Sequence, residues 1–200
     1  MDLTAVFESW HVGDGTYPPL RRDQLVRLSF ELQLGHPFIP MTETTGELEH
    51  CGDAVYRGHG LVLRRYSESS PAIAVIEANN FRFYVHGTAA ERAIPGTWVG
   101  FEGTLLLDHY AWVEFLGRYA DPPDLFYNLR VTRIRRVTIP ERFVSRGGGG
   151  KSYPTHVGPT EFGKSEDLET MEGQDFEEEF YVLDFNSKGL EPADIPRTFQ

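Results

Sequence analysis

The chain is poor in cysteine and in lysine. Cys51 is its single cysteine, so no intramolecular disulfide framework exists, and a reducing compartment is the expectation. Its three lysines are Lys151, Lys164 and Lys188, so residues 1–146 carry their positive charge entirely on arginine. Long apolar runs are missing as well. The longest clear one, Ala72–Ile76, falls far short of the roughly 20 residues of a membrane-spanning helix. Met1–Thr4 lacks the basic start of a secretory signal, and no Asn-x-Ser/Thr acceptor occurs. These absences lead us to expect a cytoplasmic, soluble chain with no membrane association.

Catalytic and cofactor signatures are equally scarce. There is no His-x-His, no His-Glu-x-x-His and no Gly-x-Ser-x-Gly. Gly150-Lys151-Ser152 matches the end of a phosphate-binding loop, but Ser145 stands where the first glycine belongs. The prolines of Tyr153-Pro154 and Gly158-Pro159 then oppose the helix such a loop must open. His50, Cys51 and Asp53 form the densest ligand-type cluster, yet adjacent strand residues point to opposite faces, so His50 and Cys51 do not chelate one ion together. The pair Asp108-His109 meets the same objection as an acid–base couple. No metal and no cofactor is expected, and an enzyme would need a hydrolase-type site assembled from distant His, Asp and Glu.

What the sequence does have is aromatic, glycine and proline content. Of 200 residues, 40% are hydrophobic, 14 are Phe and 9 are Tyr, while 20 Gly and 13 Pro favour turns and short strands over long helices. Strand-type alternation runs through Leu3–Trp10, Leu25–Leu32, Leu61–Tyr66, Ala72–Glu77, Phe81–His86, Trp98–Leu107, Ala111–Leu116 and Leu125–Ile139. Asn79-Asn80 reads as a hairpin turn. In the last stretch Leu129 and Val131 share a face while Ile134 breaks the parity, which predicts a bulge near Thr132-Arg133. Gly96, Gly100 and Gly103 around one strand suggest bends or close backbone approach. A helix is limited to about one turn between Thr88 and Ala93, stopped by Pro95. The expected fold is all-β: a curled barrel or sandwich of about seven to nine short strands, with an OB-like barrel as the nearest pattern.

Charge divides the chain. The net charge is −11, from 19 basic and 30 acidic residues. Counting from the sequence, residues 1–146 hold 18 acids and 15 bases, whereas 147–200 hold 12 acids and 4 bases. The change falls at Gly147–Gly150, so a β-domain over 1–146 is expected, followed by a Gly-rich linker and an acidic segment over 147–200. Gly158–Gln174 reads as polar loop, and residues 180–185 read as a last strand docking on the body. A chain this acidic repels nucleic acid on average and attracts a basic partner.

The functional expectation is therefore a non-enzymatic binding protein of inhibitor or immunity type, facing a basic protein partner. Its candidate contacts are Trp10, Asp14 and Tyr17 in a Gly/Pro-rich loop, and Asp175, Phe176, Glu177, Glu178 and Glu179 in the acidic segment, where aromatics sit beside charge. The alternative uses Arg130, Arg133, Arg135 and Arg136 as a basic stripe for single-stranded nucleic acid. The sequence also suggests that Glu177–Glu179 lie against that stripe.

Overall fold

A computed structural model describes residues 2–8, 12, 18–42, 45–67, 72–107, 116, 119, 121, 123–138, 142–145, 152–155, 165–171 and 179–186. The fold is all-β, as expected, but with more strands than expected: fourteen among the described residues, of which twelve share one continuous sheet.

Five strands close into a barrel in the order β6 (Val55–Tyr66), β7 (Ile73–Ala78), β8 (Phe81–His86), β3 (Phe30–Leu34) and β9 (Trp98–Leu107), with β9 returning to β6. All neighbours are antiparallel except β3 and β8, which run parallel with Glu31 opposite Tyr84. Asn79 and Asn80 make the β7–β8 turn with φ of 50° and 61°, the left-handed pair that a two-residue hairpin demands. The one-turn helix α1 (Thr88–Arg92) follows β8 and stops before Pro95. The glycines of β9 work as the sequence suggests. A side chain on Gly103 would collide with the Gln33 carbonyl of β3, so only glycine lets the two backbones approach there.

A flanking layer grows from the same sheet. β1 (Asp2–Glu8) lies parallel to β9 on one side and antiparallel to β14 (Glu179–Asn186) on the other. β14 pairs with β10 (Tyr127–Thr138), which also pairs with β2 (Leu25–Leu28) and β13 (Ser165–Leu168). The docking strand expected at 180–185 is thus not an edge; it is inserted between β1 and β10. The register shift between Val131 and Arg133 is the bulge that the broken parity implied.

Several expectations need correction. The stretch Leu25–Leu32 is not one strand: Ser29 interrupts it, and β2 and β3 pair with different neighbours on either side. β4 (Ile39–Met41) and β5 (Glu47–Gly52) were unforeseen, being short or mostly exposed and lacking an apolar face. Gly158–Gln174 is not wholly loop, because β13 forms within it where its acids meet the arginines of β10. Ala111–Leu116 lies outside the described residues apart from Leu116. A separate two-stranded ribbon, β11 (Arg142–Ser145) with β12 (Ser152–Thr155), brackets the glycine run.

One core serves barrel and flank. Its rings include Phe7 of β1, Phe30 of β3, Phe81 and Phe83 of β8, and Phe185 of β14. Phe30 sits at the junction, with ring centroids 5.4 Å from Phe81, 6.4 Å from Tyr127 and 6.2 Å from Phe185. Two buried tyrosines tie the layers. The Thr4 amide of β1 donates to the Tyr56 hydroxyl of β6 at 2.8 Å, and the Arg82 amide of β8 donates to the Tyr127 hydroxyl of β10 at 2.6 Å. Each hydroxyl gives a partner to a backbone amide at the junction. Burial pushes both phenols up to about 12. Their folded values lie above the unfolded one near 10, so their contribution is intact below pH 10 and is lost as pH rises towards 12. Two units amount to roughly 2–3 kcal/mol per tyrosine. Urea unfolding at pH 9 and pH 11.5 is expected to show this loss, and Tyr127→Phe should roughly halve the difference between the two pH values.

Candidate functional site

The arginine cluster on β10 is the most charged feature of the flank. Strand alternation splits it beyond the bulge: Arg133 and Arg135 share one face and Arg136 falls on the other. Arg133 makes a bidentate contact with Asp167 of β13 at 2.6 and 3.0 Å. Arg136 pairs with Glu166 at 2.5 Å. Arg135, only 16% exposed, stands between Asp184 at 3.3 Å and Asp53 at 3.5 Å. Arg130 donates to the Asp23 carbonyl at 2.8 Å. The acids that meet the cluster are therefore Asp53, Glu166, Asp167 and Asp184. Of the acids expected there, Glu177, Glu178 and the Glu179 side chain lie outside the described residues, as do Trp10, Asp14, Tyr17, Asp175 and Phe176.

The hydrogen bonds from Arg133 hold the Asp167 carboxyl below its ordinary value of 3.8. A lowered carboxyl contributes to the folded state above the ordinary carboxylate range and loses that contribution as pH falls below it. A side-chain carboxyl-carbon NMR titration should find Asp167 protonating at lower pH than a free aspartate, and Arg133→Gln should move it back towards the ordinary value.

A groove lies on the barrel instead. After Leu34 the chain ends β3, turns through Gly35–Phe38, and pairs with β9 again as β4, with Ile39 opposite Gly100 and Met41 opposite Trp98. A Cβ at Gly100 would stand 3.2 Å from the Met41 sulfur, so glycine makes room for that packing. Between β4, the end of β8 and α1 the barrel wall opens into a groove of about 720 Å³. Leu34, Phe38, Met41, Trp98 and Val99 make its apolar walls, and Ile94 stands at its rim, 62% exposed. A second hollow of about 360 Å³ adjoins it across His36, Pro37 and Met41. Its walls carry Glu47, Glu49 and Glu102 with Arg57 and His59, and Ile39 lines it, 62% exposed. Glu49 pairs with Arg57 at 2.9 Å, and Glu47 lies 3.8 Å from His59.

The most buried charge lining the groove is Glu31. It points outward from β3, opposite in phase to the core residues Phe30 and Leu32, yet its side chain is only 4% exposed. His86 of β8 meets it, Nδ1 to Oε1 at 2.5 Å, and is itself 48% exposed. A carboxylate so withdrawn from water needs a partner, and the imidazole supplies it. The sequence reading missed both residues. Alternation assigns Glu31 and His86 to the outward face, and it does not tell that the parallel β3–β8 step brings the two together.

His50 does not gather ligands: its ring stacks on Tyr56 at 4.9 Å and its Nε2 meets the Asp53 carbonyl. Among the described residues no cluster of three or more His, Cys, Asp or Glu is placed to hold a metal ion, and no helix is long and apolar enough to cross a membrane. No protein-family model, curated protein or solved structure matches this chain.

Proposed function

We propose that the protein is a non-enzymatic binding protein, of inhibitor or immunity type, that takes an extended segment of a basic protein partner into the groove beside β4. The observation that carries this reading is an apolar groove with a buried carboxylate, adjoined by a wall bearing three glutamates. Apolar side chains of a partner would cover Ile39 and Ile94, and its cations would meet Glu47, Glu49 and Glu102. The net charge of −11 favours the encounter and makes its rate salt-dependent. A groove of this volume also suits recognition more than a flat contact would. The cytoplasmic location expected from the sequence belongs to the same reading.

The alternative, an OB-like barrel for single-stranded nucleic acid, draws support from strand order. We read β6–β7–β8–β3–β9, with its parallel β3–β8 step and a helix between β8 and β9, as an OB-like barrel whose last strand comes first in the chain. Oligonucleotides bind such barrels over the second and third strands, which correspond here to β7 and β8. That outer face carries Ile73, Val75 and Tyr84, packed beneath Leu116, Leu125 and Phe126 of this same chain. The arginines of β10 are engaged with Glu166, Asp167, Asp184 and Asp53. Both facts favour the protein-partner reading.

Fluorescence anisotropy separates the two. The probes are labelled twelve-residue peptides alternating Leu with Lys, Leu with Glu and Leu with Ser, and an oligo-dT of the same length. The Leu/Lys peptide is expected to bind best, and Ile39→Asp is expected to weaken it by about tenfold, roughly 1.4 kcal/mol. Adsorption by net charge alone would respond in the opposite direction, since the added carboxylate would strengthen it. Tighter binding of oligo-dT than of the Leu/Lys peptide would overturn the proposal.

A further inference from the structure

We propose that Glu31 and His86 form a subsite for one cationic side chain, a primary ammonium or guanidinium on an alkyl stem, with His86 as the partner that this cation displaces. The inference rests on the groove being the binding site, and it names what one position of the ligand must be.

The argument begins with an asymmetry. Glu31 and His86 are neighbours across the parallel β3–β8 step and both project from the outer side of the barrel. The anion is 4% exposed whereas the imidazole bonded to it is 48% exposed. A purely structural ion pair gains most when both members are withdrawn from water. Here the imidazole occupies the solvent side of a buried carboxylate. The groove that the pair lines also has apolar walls, through Leu34, Phe38, Met41, Trp98 and Val99, beside the polar Gln33 and Thr97.

An alkyl cation fits this combination. Its stem covers apolar wall, as lysine and arginine stems do on protein surfaces, and its head reaches a carboxylate that has little water to give up. The indole of Trp98 and the ring of Phe38, both in the lining, add faces that attract a cation. An anionic ligand would meet Glu31 unfavourably. Arg92 and His36, which also line the groove, are exposed, so an anion would stop at the entrance instead of reaching the carboxylate. A neutral alkyl chain would fill the walls but leave Glu31 with its imidazole.

The test uses the full chain and four probes of one alkyl length: n-pentylammonium, n-pentylguanidinium, 1-pentanol and pentanoate, followed by amide and indole NMR shifts. Both cations are expected to shift His86 and Trp98 saturably, with 1-pentanol at least tenfold weaker and pentanoate without saturable effect. Glu31→Gln keeps the size of the side chain and is expected to reduce the cations to the level of 1-pentanol. His86→Ala, at a half-exposed position, is expected to tighten cation binding several-fold because it removes the competitor. Equal binding of pentanol and pentylammonium to the native chain, or weaker cation binding in His86→Ala, would overturn the subsite. The two proposals fail separately. Loss of Leu/Lys peptide binding with cation binding intact sinks the protein-partner reading alone. Peptide binding that ignores Glu31→Gln, with no preference among the small probes, sinks the subsite alone.

Discussion

The stretch from Leu25 to Leu34 has to serve two layers at once, and the switch falls at Ser29, which is fully buried. Before it, β2 hydrogen-bonds β10 of the flank; after it, β3 hydrogen-bonds β9 and touches β8 of the barrel. Phe30, the first residue past the switch, fills the space where the layers meet, against Phe81, Tyr127 and Phe185. The rest of the molecule follows from this sharing. β9 must also serve both layers, β14 must close the flank between β1 and β10, and the hydroxyls of Tyr56 and Tyr127 must receive amides where the sheets diverge. Losing Phe30 would open a cavity at the one point where both layers rest on each other, where large-to-small changes cost about 3–5 kcal/mol.

The sharing also creates the groove. Because β3 keeps only one paired position with β8 before the chain turns away, the wall beyond Glu31 is left to β4 and α1, which do not close it. Glu31 stands at the last closed position. Its burial goes with topology: an outward side chain on an ordinary exposed strand would be wet, and here β3 lies between β8 and β9 with His86 against the carboxylate. Charge is distributed accordingly. In the flank, arginines and acids neutralise one another across β10, β13 and β14, while the acids of β5 line the hollow next to the groove.

Much of the fold is legible in the sequence where one face is apolar. The bounds of β8 and β9 follow directly from alternation, and the Asn79-Asn80 turn and the bulge beyond Val131 follow from residue type and broken parity. β4, β5 and β13 were hidden because they are short or polar and owe their existence to partners: Gly100 and Trp98 of β9 for β4, the arginines of β10 for β13. The site was not legible. Glu31 and His86 are separated by more than fifty positions in the chain and carry no motif; only the parallel step brings them together. The acidic character of the surface was readable from composition, whereas which acids pair with arginine and which face a groove depends on register.

The most direct test of the account is amide hydrogen exchange of the full chain with and without the Leu/Lys peptide. The account predicts added protection in residues 31–41 and 86–99, around the groove, with the flank unchanged. Protection confined to 165–186, along the acidic strands β13 and β14, would contradict it and move the binding surface to the flank.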